Sequence, residues 1–241
     1  MAKQQKSSLL NVSKGVSMIS KRASGFTSFI VMDVMAKAEE LERKGEHVIH
    51  LEVGEPDFPT PKVITDTAIA ALQNDKTRYT HALGLLELRQ AVCDHYLKEY
   101  GVTISPQQVM ISTGTSPVLL FAMLAMIDHG DEVIVSNPRY PCYQNFILAV
   151  GAKIKEIQTY PEEGFQYRHK DIQKKLTRRT KGIIINSPCN PTGIVMTRDQ
   201  LKDIAGFDGQ YIISDEIYHG LVYQDRAHSI LEYTDKAFVI N

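Results

Sequence analysis

The sequence predicts an α/β domain of three layers, a mostly parallel sheet with helices on both faces. Two observations carry this expectation. Beyond Tyr100, short β-like runs recur at Val109–Ser112, Glu132–Val135, Ile154–Ile157, Gly182–Ile185, Tyr211–Ile213 and Ala237–Ile240. Helical patterns separate most of them, and that alternation is what builds parallel strands joined by crossover helices. Composition agrees: 43% apolar and 23% charged residues are ordinary for a globular chain of 241 residues.

The N-terminal residues stand apart from this pattern. Lys3, Lys6, Lys14, Lys21 and Arg22 precede any acid, so the first 32 residues carry +5 and the other 209 carry −6. The stretch is Ser-rich and lacks the apolar core of a secretory signal. Residues 1–27 read as a mobile arm, with a basic transit peptide as the alternative.

Periodicity starts at Phe29. Ile30, Val34, Ala38 and Leu41 recur at helical spacing, and Gly45 stops that helix. A short apolar stretch, Val48–Val53, runs into Gly54-Glu55-Pro56-Asp57. Thr60 and Pro61 read as N-cap and first residue of the next helix, with Ile64, Ala68, Ala71 and Leu72 as its buried stripe. Leu85, Leu88, Val92 and Tyr96 form another stripe. Val118–Ile127 is apolar all round, which predicts a buried helix, and at ten residues it is too short to span a bilayer. Tyr143, Phe146, Ile147 and Val150 make a one-sided stripe. Thr197 with Gln200 is a capping-box signature.

Charge and cysteine usage exclude several classes. A net charge of −1 argues against a nucleic-acid binder that works by charge. Cys93, Cys142 and Cys189 are widely spaced, and no C-x-x-C or H-E-x-x-H pattern occurs. Neither a disulfide scaffold nor a metal site is expected, and a reducing, cytoplasmic setting fits best.

Ligands of open α/β sheets collect at the carboxyl ends of the strands. Four such places stand out. Ser112-Thr113-Gly114-Thr115-Ser116-Pro117 opens the apolar helix; Ser116 can cap it and Pro117 suits its first position. Its free N–H groups and dipole suit a phosphate, although a plain strand–helix turn reads equally well. Asn137-Pro138-Arg139-Tyr140-Pro141 fixes Tyr140 in one direction, either to stack on a flat ring or to pack into the core. Asn186-Ser187-Pro188-Cys189-Asn190-Pro191-Thr192-Gly193 is a rigid loop offering amides to a polar ligand edge, or a plain turn. Asp215 in Ser214-Asp215-Glu216-Ile217-Tyr218 is a helix N-cap or the partner of a cationic ligand group. Together they describe a ligand with a phosphate, a flat ring, a polar ring substituent and a cationic ring nitrogen. Pyridoxal 5′-phosphate has all four, and a carboxylate on its pyridine nitrogen lets the ring accept electrons.

These segments resemble the class I aminotransferases, the fold-type I pyridoxal-phosphate enzymes, most closely their aspartate/aromatic/alanine-type branch. Gly54-Glu55-Pro56-Asp57, Tyr79…Gly84…Leu88-Arg89, Gly130-Asp131-Glu132-Val133 and the Asn186–Gly193 and Ser214–Tyr218 segments carry the resemblance in order, over about residues 28 to 241. It implies phosphate binding by Gly114, Thr115 and Ser116, and ring stacking by Tyr140. It implies that Asn190 and Tyr218 bond the ring hydroxyl and that Asp215 pairs with the ring nitrogen. Gly54 would approach the substrate carboxylate, and Tyr79 would reach the phosphate of a neighbouring subunit in a homodimer. Cys189 replaces the usual Asn of its loop. Residues 28–50 would belong to a smaller domain and 51–241 to the cofactor-binding domain.

The implied reaction moves an α-amino group from an amino acid to a 2-oxo acid. It needs a Schiff-base lysine, which follows the next strand in the family, and an arginine for the substrate carboxylate beyond it. Lys236 precedes or starts its strand and is rejected as a substitute. The chain is therefore expected to be an incomplete large domain, with a gap in its sheet, unstable and inactive alone. A lyase or synthase of the same fold, and a non-catalytic cofactor-binding or dimerising remnant, are the competing expectations.

Overall fold

Five parallel strands lie side by side in the order β2-β1-β3-β4-β5. They are β1 (Glu132–Asn137), β2 (Lys153–Gln158), β3 (Thr180–Asn186), β4 (Tyr211–Asp215) and β5 (Ala237–Ile240). The computed structural model describes residues 20–223 and 226–241, so most of the basic arm, residues 1–19, lies outside the described residues. The helices are α1 (Ile30–Glu42), α2 (Lys62–Gln73), α3 (Leu86–Tyr100), α4 (Thr115–Met126), α5 (Tyr143–Ala149), α6 (His169–Lys175) and α7 (Arg198–Ala205). Among the described residues no helix is long and apolar enough to cross a membrane.

The sheet divides the core in two because successive strand side chains point to opposite faces. Val133, Val135, Ile184, Ile213 and Ile240 meet Leu119, Met123 and Ile127 of the α4 segment and Tyr143, Ile147 and Val150 of the α5 segment. Ile134, Ile183, Ile185 and Ile212 meet Ile172 of α6, Leu201 and Ile204 of α7, and Ile230. Both faces are covered, so β1, β3 and β4 read as continuous apolar runs. The α7 capping box forms as expected: Thr197 Oγ1 accepts from the Gln200 N–H, and Gln200 Oε1 accepts from the Thr197 N–H.

Several expectations are corrected. Val109–Ser112 is not a strand: Ile111 N–H donates to the Leu83 carbonyl at 3.0 Å, but no ladder partner runs beside it among the described residues. The α2 helix starts at Lys62 with no side-chain cap from Thr60, and none of its residues is buried. In α3 the buried side chains are Arg89, Cys93 and Tyr96, while Leu85 and Leu88 are exposed. Phe121 and Leu124 leave one side of α4 open to water. Periodicity identifies an apolar face correctly, but it does not show that another element covers that face. The arm's end is docked, since Arg22 Nη1 donates to the Ala149 carbonyl at 3.0 Å and Asn145 Oδ1 accepts from the Thr27 N–H at 3.2 Å.

Two polar knots hold elements in place. At the amino-terminal end of the sheet, the buried Glu132 carboxylate accepts from the Thr177 hydroxyl at 2.6 Å. Lys155 of β2 and Arg179 beside β3 lie 3.4 and 3.5 Å from it. Burial pushes its pKa up, but the Thr177 hydroxyl and these cations outweigh that and hold it below its ordinary value. At the start of α3, Arg89 donates to the carbonyls of Gly84 and Pro106. Gly84 has φ +92°, and a Cβ there would lie 2.7 Å from Ile111 Cβ.

Replacing Gly84 with Ala adds left-handed strain to that clash, and is expected to cost about 2 kcal/mol or more. An unchanged urea midpoint would contradict the close approach. Glu132 titrates lower in the folded chain, so its contribution is present above its ordinary pKa of 4.5 and is lost on acidification. Glu132→Gln is therefore expected to destabilise the chain at neutral pH and to flatten the acid side of its stability curve, as followed by denaturant unfolding against pH.

Candidate functional site

From β1 the chain passes to β2 on one side, then returns to β3 on the other. Connections leaving β1 and β3 therefore diverge, and a crevice opens at the carboxyl ends of these strands. A cleft of about 1400 Å³ lies there, lined by Tyr140 after β1, Cys189 and Asn190 after β3, Tyr218 after β4, and Phe29 and Gly54 from the preceding chain.

Backbone and side-chain bonds stiffen each loop. After β1, the Ser136 hydroxyl donates to the Pro138 carbonyl at 2.8 Å, and Arg139 donates to the Ser136 carbonyl and to Glu156. This aims the Tyr140 ring edge-on at Phe29 and at Tyr143, with centroids 5.9 and 5.4 Å away. After β3, Asn186 bridges two segments. Its Nδ2 donates to the Asp215 carbonyl at 2.9 Å and its Oδ1 accepts from the Asn190 N–H at 2.7 Å. Gly193 N–H donates to the Cys189 carbonyl, closing the loop. Asn190 Nδ2 then donates to the Tyr218 hydroxyl oxygen at 3.3 Å.

Asp215 ends β4 and is buried. Tyr143 Oη donates to its Oδ2 at 2.6 Å, and the Ile217 N–H approaches Oδ1 at 3.4 Å. Residues 217–220 form a turn, so Asp215 is not a helix N-cap. It makes no ion pair with the described Lys, Arg or His side chains. Burial pushes its carboxyl above its ordinary pKa of 3.8, against the pull of the two donors. Burial and the neighbouring Asp215 charge push the Tyr143 hydroxyl far up, so it remains a donor.

Helix α4 begins two residues earlier than the sequence suggests. Gly114, at φ +94°, occupies the N-cap position, Thr115 is the first helical residue, and Ser116 does not cap. The N–H groups of Thr115 and Ser116 have no acceptor among the described residues.

The structure thus brings Tyr140, Asn190, Tyr218 and Gly54 around one cleft, with Asp215 behind Tyr143. Gly114, Thr115 and Ser116 are not part of the cleft lining, and Tyr79 is fully exposed away from it. Sequence reasoning missed two residues. Tyr143 looked like one member of an apolar stripe, and its hydroxyl was the available signal. Asn186 looked like a ligand donor but bonds the backbone. Lys236 is exposed and paired with Asp208 at 3.0 Å, before the sheet and away from the strand ends that form the cleft.

A family model described as aminotransferase class I and II matches residues 46–240. The chain is similar to the (5-formylfuran-3-yl)methyl phosphate transaminase of Methanocaldococcus jannaschii, with 45% identity over 227 residues, covering 93% of this chain and 59% of that protein. It is 38% identical over 221 residues to an aspartate aminotransferase of Thermotoga maritima, covering 90% and 59%. Among solved structures, aspartate aminotransferase from Thermus thermophilus with maleate superposes with TM-score 0.88 at 33% identity, over 92% of this chain and 59% of that one. The chain therefore spans 59% of the length of these relatives. With this fold, this arrangement of strand-end loops and this match, the chain belongs to the class I and II aminotransferase family.

Proposed function

We propose that this chain is the cofactor-binding part of a pyridoxal-phosphate-dependent aminotransferase that moves an α-amino group between an amino acid and a 2-oxo acid. One observation carries the reading: Asp215, a buried carboxylate with no cation partner among the described residues, lies at the strand ends beside a cleft lined by Asn190 and Tyr218. That donor set fits the cofactor, because a buried carboxylate calls for a positive partner and a pyridinium nitrogen is one.

Each side chain has a distinct task. Asp215 would pair with the ring nitrogen, and Tyr143 would hold the Asp215 carboxylate in place. Asn190 and Tyr218 would orient the ring hydroxyl, and Tyr140 would cover one ring face. The α4 N-terminus, with Gly114, Thr115 and Ser116, would hold the phosphate. Gly54 would lie against the substrate carboxylate. Pyridoxal 5′-phosphate supplies an electron-accepting ring when bound. The lysine that moves the substrate proton is not among these residues.

The remaining assignments follow from the same reading. Residues 28–50 belong to a smaller domain and 51–241 to the cofactor domain. The protein works as a homodimer in the cytoplasm. Full exposure of Tyr79 and the apolar surface around α2 support the dimer.

Absorbance titration with pyridoxal 5′-phosphate tests the reading. Asp215→Asn removes a charge-assisted contact and is expected to weaken binding by about 2 kcal/mol, roughly thirtyfold. Unchanged affinity and spectrum would rule out the ring-nitrogen role. Asp215 must be ionised to pair, and burial raises its pKa, so affinity falls as pH drops through that raised value and holds above it. The Tyr143 hydroxyl lowers that pKa, so Tyr143→Phe is expected to move the acid limit up. A limit that stays put would remove Tyr143 from the site.

A further inference from the structure

A buried acid lies behind the turn that carries Tyr218. Glu216 follows Asp215 and is 1% exposed. Its Oε1 accepts from the Ser214 hydroxyl at 2.8 Å and from the Ile230 N–H at 3.0 Å. Its Oε2 has no hydrogen-bond partner, and His219 Nδ1 is 3.6 Å away. The His219 side chain is 3% exposed. Its Nδ1 lies 2.8 Å from the Tyr100 hydroxyl of α3, and its Nε2 has no partner.

The surrounding charges do not serve Glu216. On α3, Tyr96 and Tyr100 face it, with His95 and Glu99 nearby. Along residues 226–232, Arg226 pairs with Glu232 at 3.7 Å and with the Glu99 carbonyl, while His228 pairs with Glu232 at 3.0 Å. An ionised carboxylate with a bare oxygen is costly in the interior, whereas a neutral acid carries a far smaller desolvation cost. A neutral imidazole can accept the Tyr100 hydroxyl proton on Nδ1. Burial drives both groups towards neutrality, pushing Glu216 up to about 7 and His219 down to about 4.

We propose that Glu216, held as the neutral acid against the neutral ring of His219, is a positioning residue that fixes from behind the turn presenting Tyr218 to the cleft. This inference rests on the cofactor reading of the cleft. Tyr218 lies between the two residues, and the turn closes through the His219 N–H to the Glu216 carbonyl at 2.9 Å. Glu216 ties the turn to Ile230, and His219 ties it to α3. Loss of the Glu216 proton leaves an unpaired interior charge, which opens the turn to water and frees Tyr218 from Asn190.

The linkage has a definite sign. Glu216 ordinarily titrates at 4.5, so the folded chain keeps a proton that the unfolded chain releases, and stability is lost as pH rises from there through about 7. His219 ordinarily titrates at 6.5 and is lowered, so its slope is opposite between about 4 and 6.5. The two slopes offset each other over the shared range, and above it only the loss from Glu216 remains.

Urea unfolding and pyridoxal 5′-phosphate titration of the full 241-residue chain and of Glu216→Gln, from about pH 5 to about pH 8, test this. The wild-type chain is expected to lose stability relative to Glu216→Gln as pH rises. Its apparent cofactor affinity should fall about tenfold one pH unit above the titration, a fall absent from the variant. Parallel curves for the two chains overturn the proposal. If the variant does not fold, the carboxyl carbon shift of Glu216 in the wild-type chain decides: a protonated shift at about pH 6 supports it and an ionised shift overturns it. A wild-type chain that binds no cofactor at any pH overturns the cofactor reading instead, while the unfolding curves still report the state of Glu216.

Discussion

Asp215 ends β4 with its carboxylate buried, and the Tyr143 hydroxyl donates to it at 2.6 Å. A charge in that position is tolerable only with donors already aimed at it and a cation to complete the set. Much of the surrounding structure supplies this environment. Helix α5 carries Tyr143 in its first turn, and the α5 face that packs on the sheet brings the hydroxyl to the strand end. Asn186 and Ser187 grip the Asp215 carbonyl from the neighbouring strand, so β3 and β4 end in register.

The two ends of the sheet do different work. At the amino-terminal end, Glu132 gathers Thr177, Lys155 and Arg179, and every polar partner is internal to the chain. At the carboxyl end, Asp215, Asn190 and Tyr218 keep capacity in reserve. The first arrangement ties β1, β2 and the start of β3 together, while the second leaves groups that a ligand can satisfy. That division follows from parallel strands, whose connections place all the diverging loops at one end.

Proline-rich loops make the second arrangement rigid without secondary structure. Asn186, Ser187 and Cys189 use their polar groups to fold the loop back on itself, leaving the Asn190 side chain to reach Tyr218. The N-terminal third contrasts with this. Ile49, Leu51, Phe58 and Leu72 are all exposed, and α2 buries nothing.

The sequence by itself determined the layer architecture, because alternation of apolar runs and helical stripes is a local property of residue order. It also marked the three segments that follow β1, β3 and β4, since proline, glycine, asparagine and aspartate cluster there. Tertiary structure alone decided which faces are covered: Ile64 and Leu72 sit at correct helical spacing yet remain exposed, as no other element among the described residues reaches them. It decided that Val109–Ser112 is not a strand, since a strand exists only through a ladder partner. It also decided the surroundings of Tyr143 and Glu216: only the meeting of distant segments in a dry interior gives the first a carboxylate to bond and buries the second.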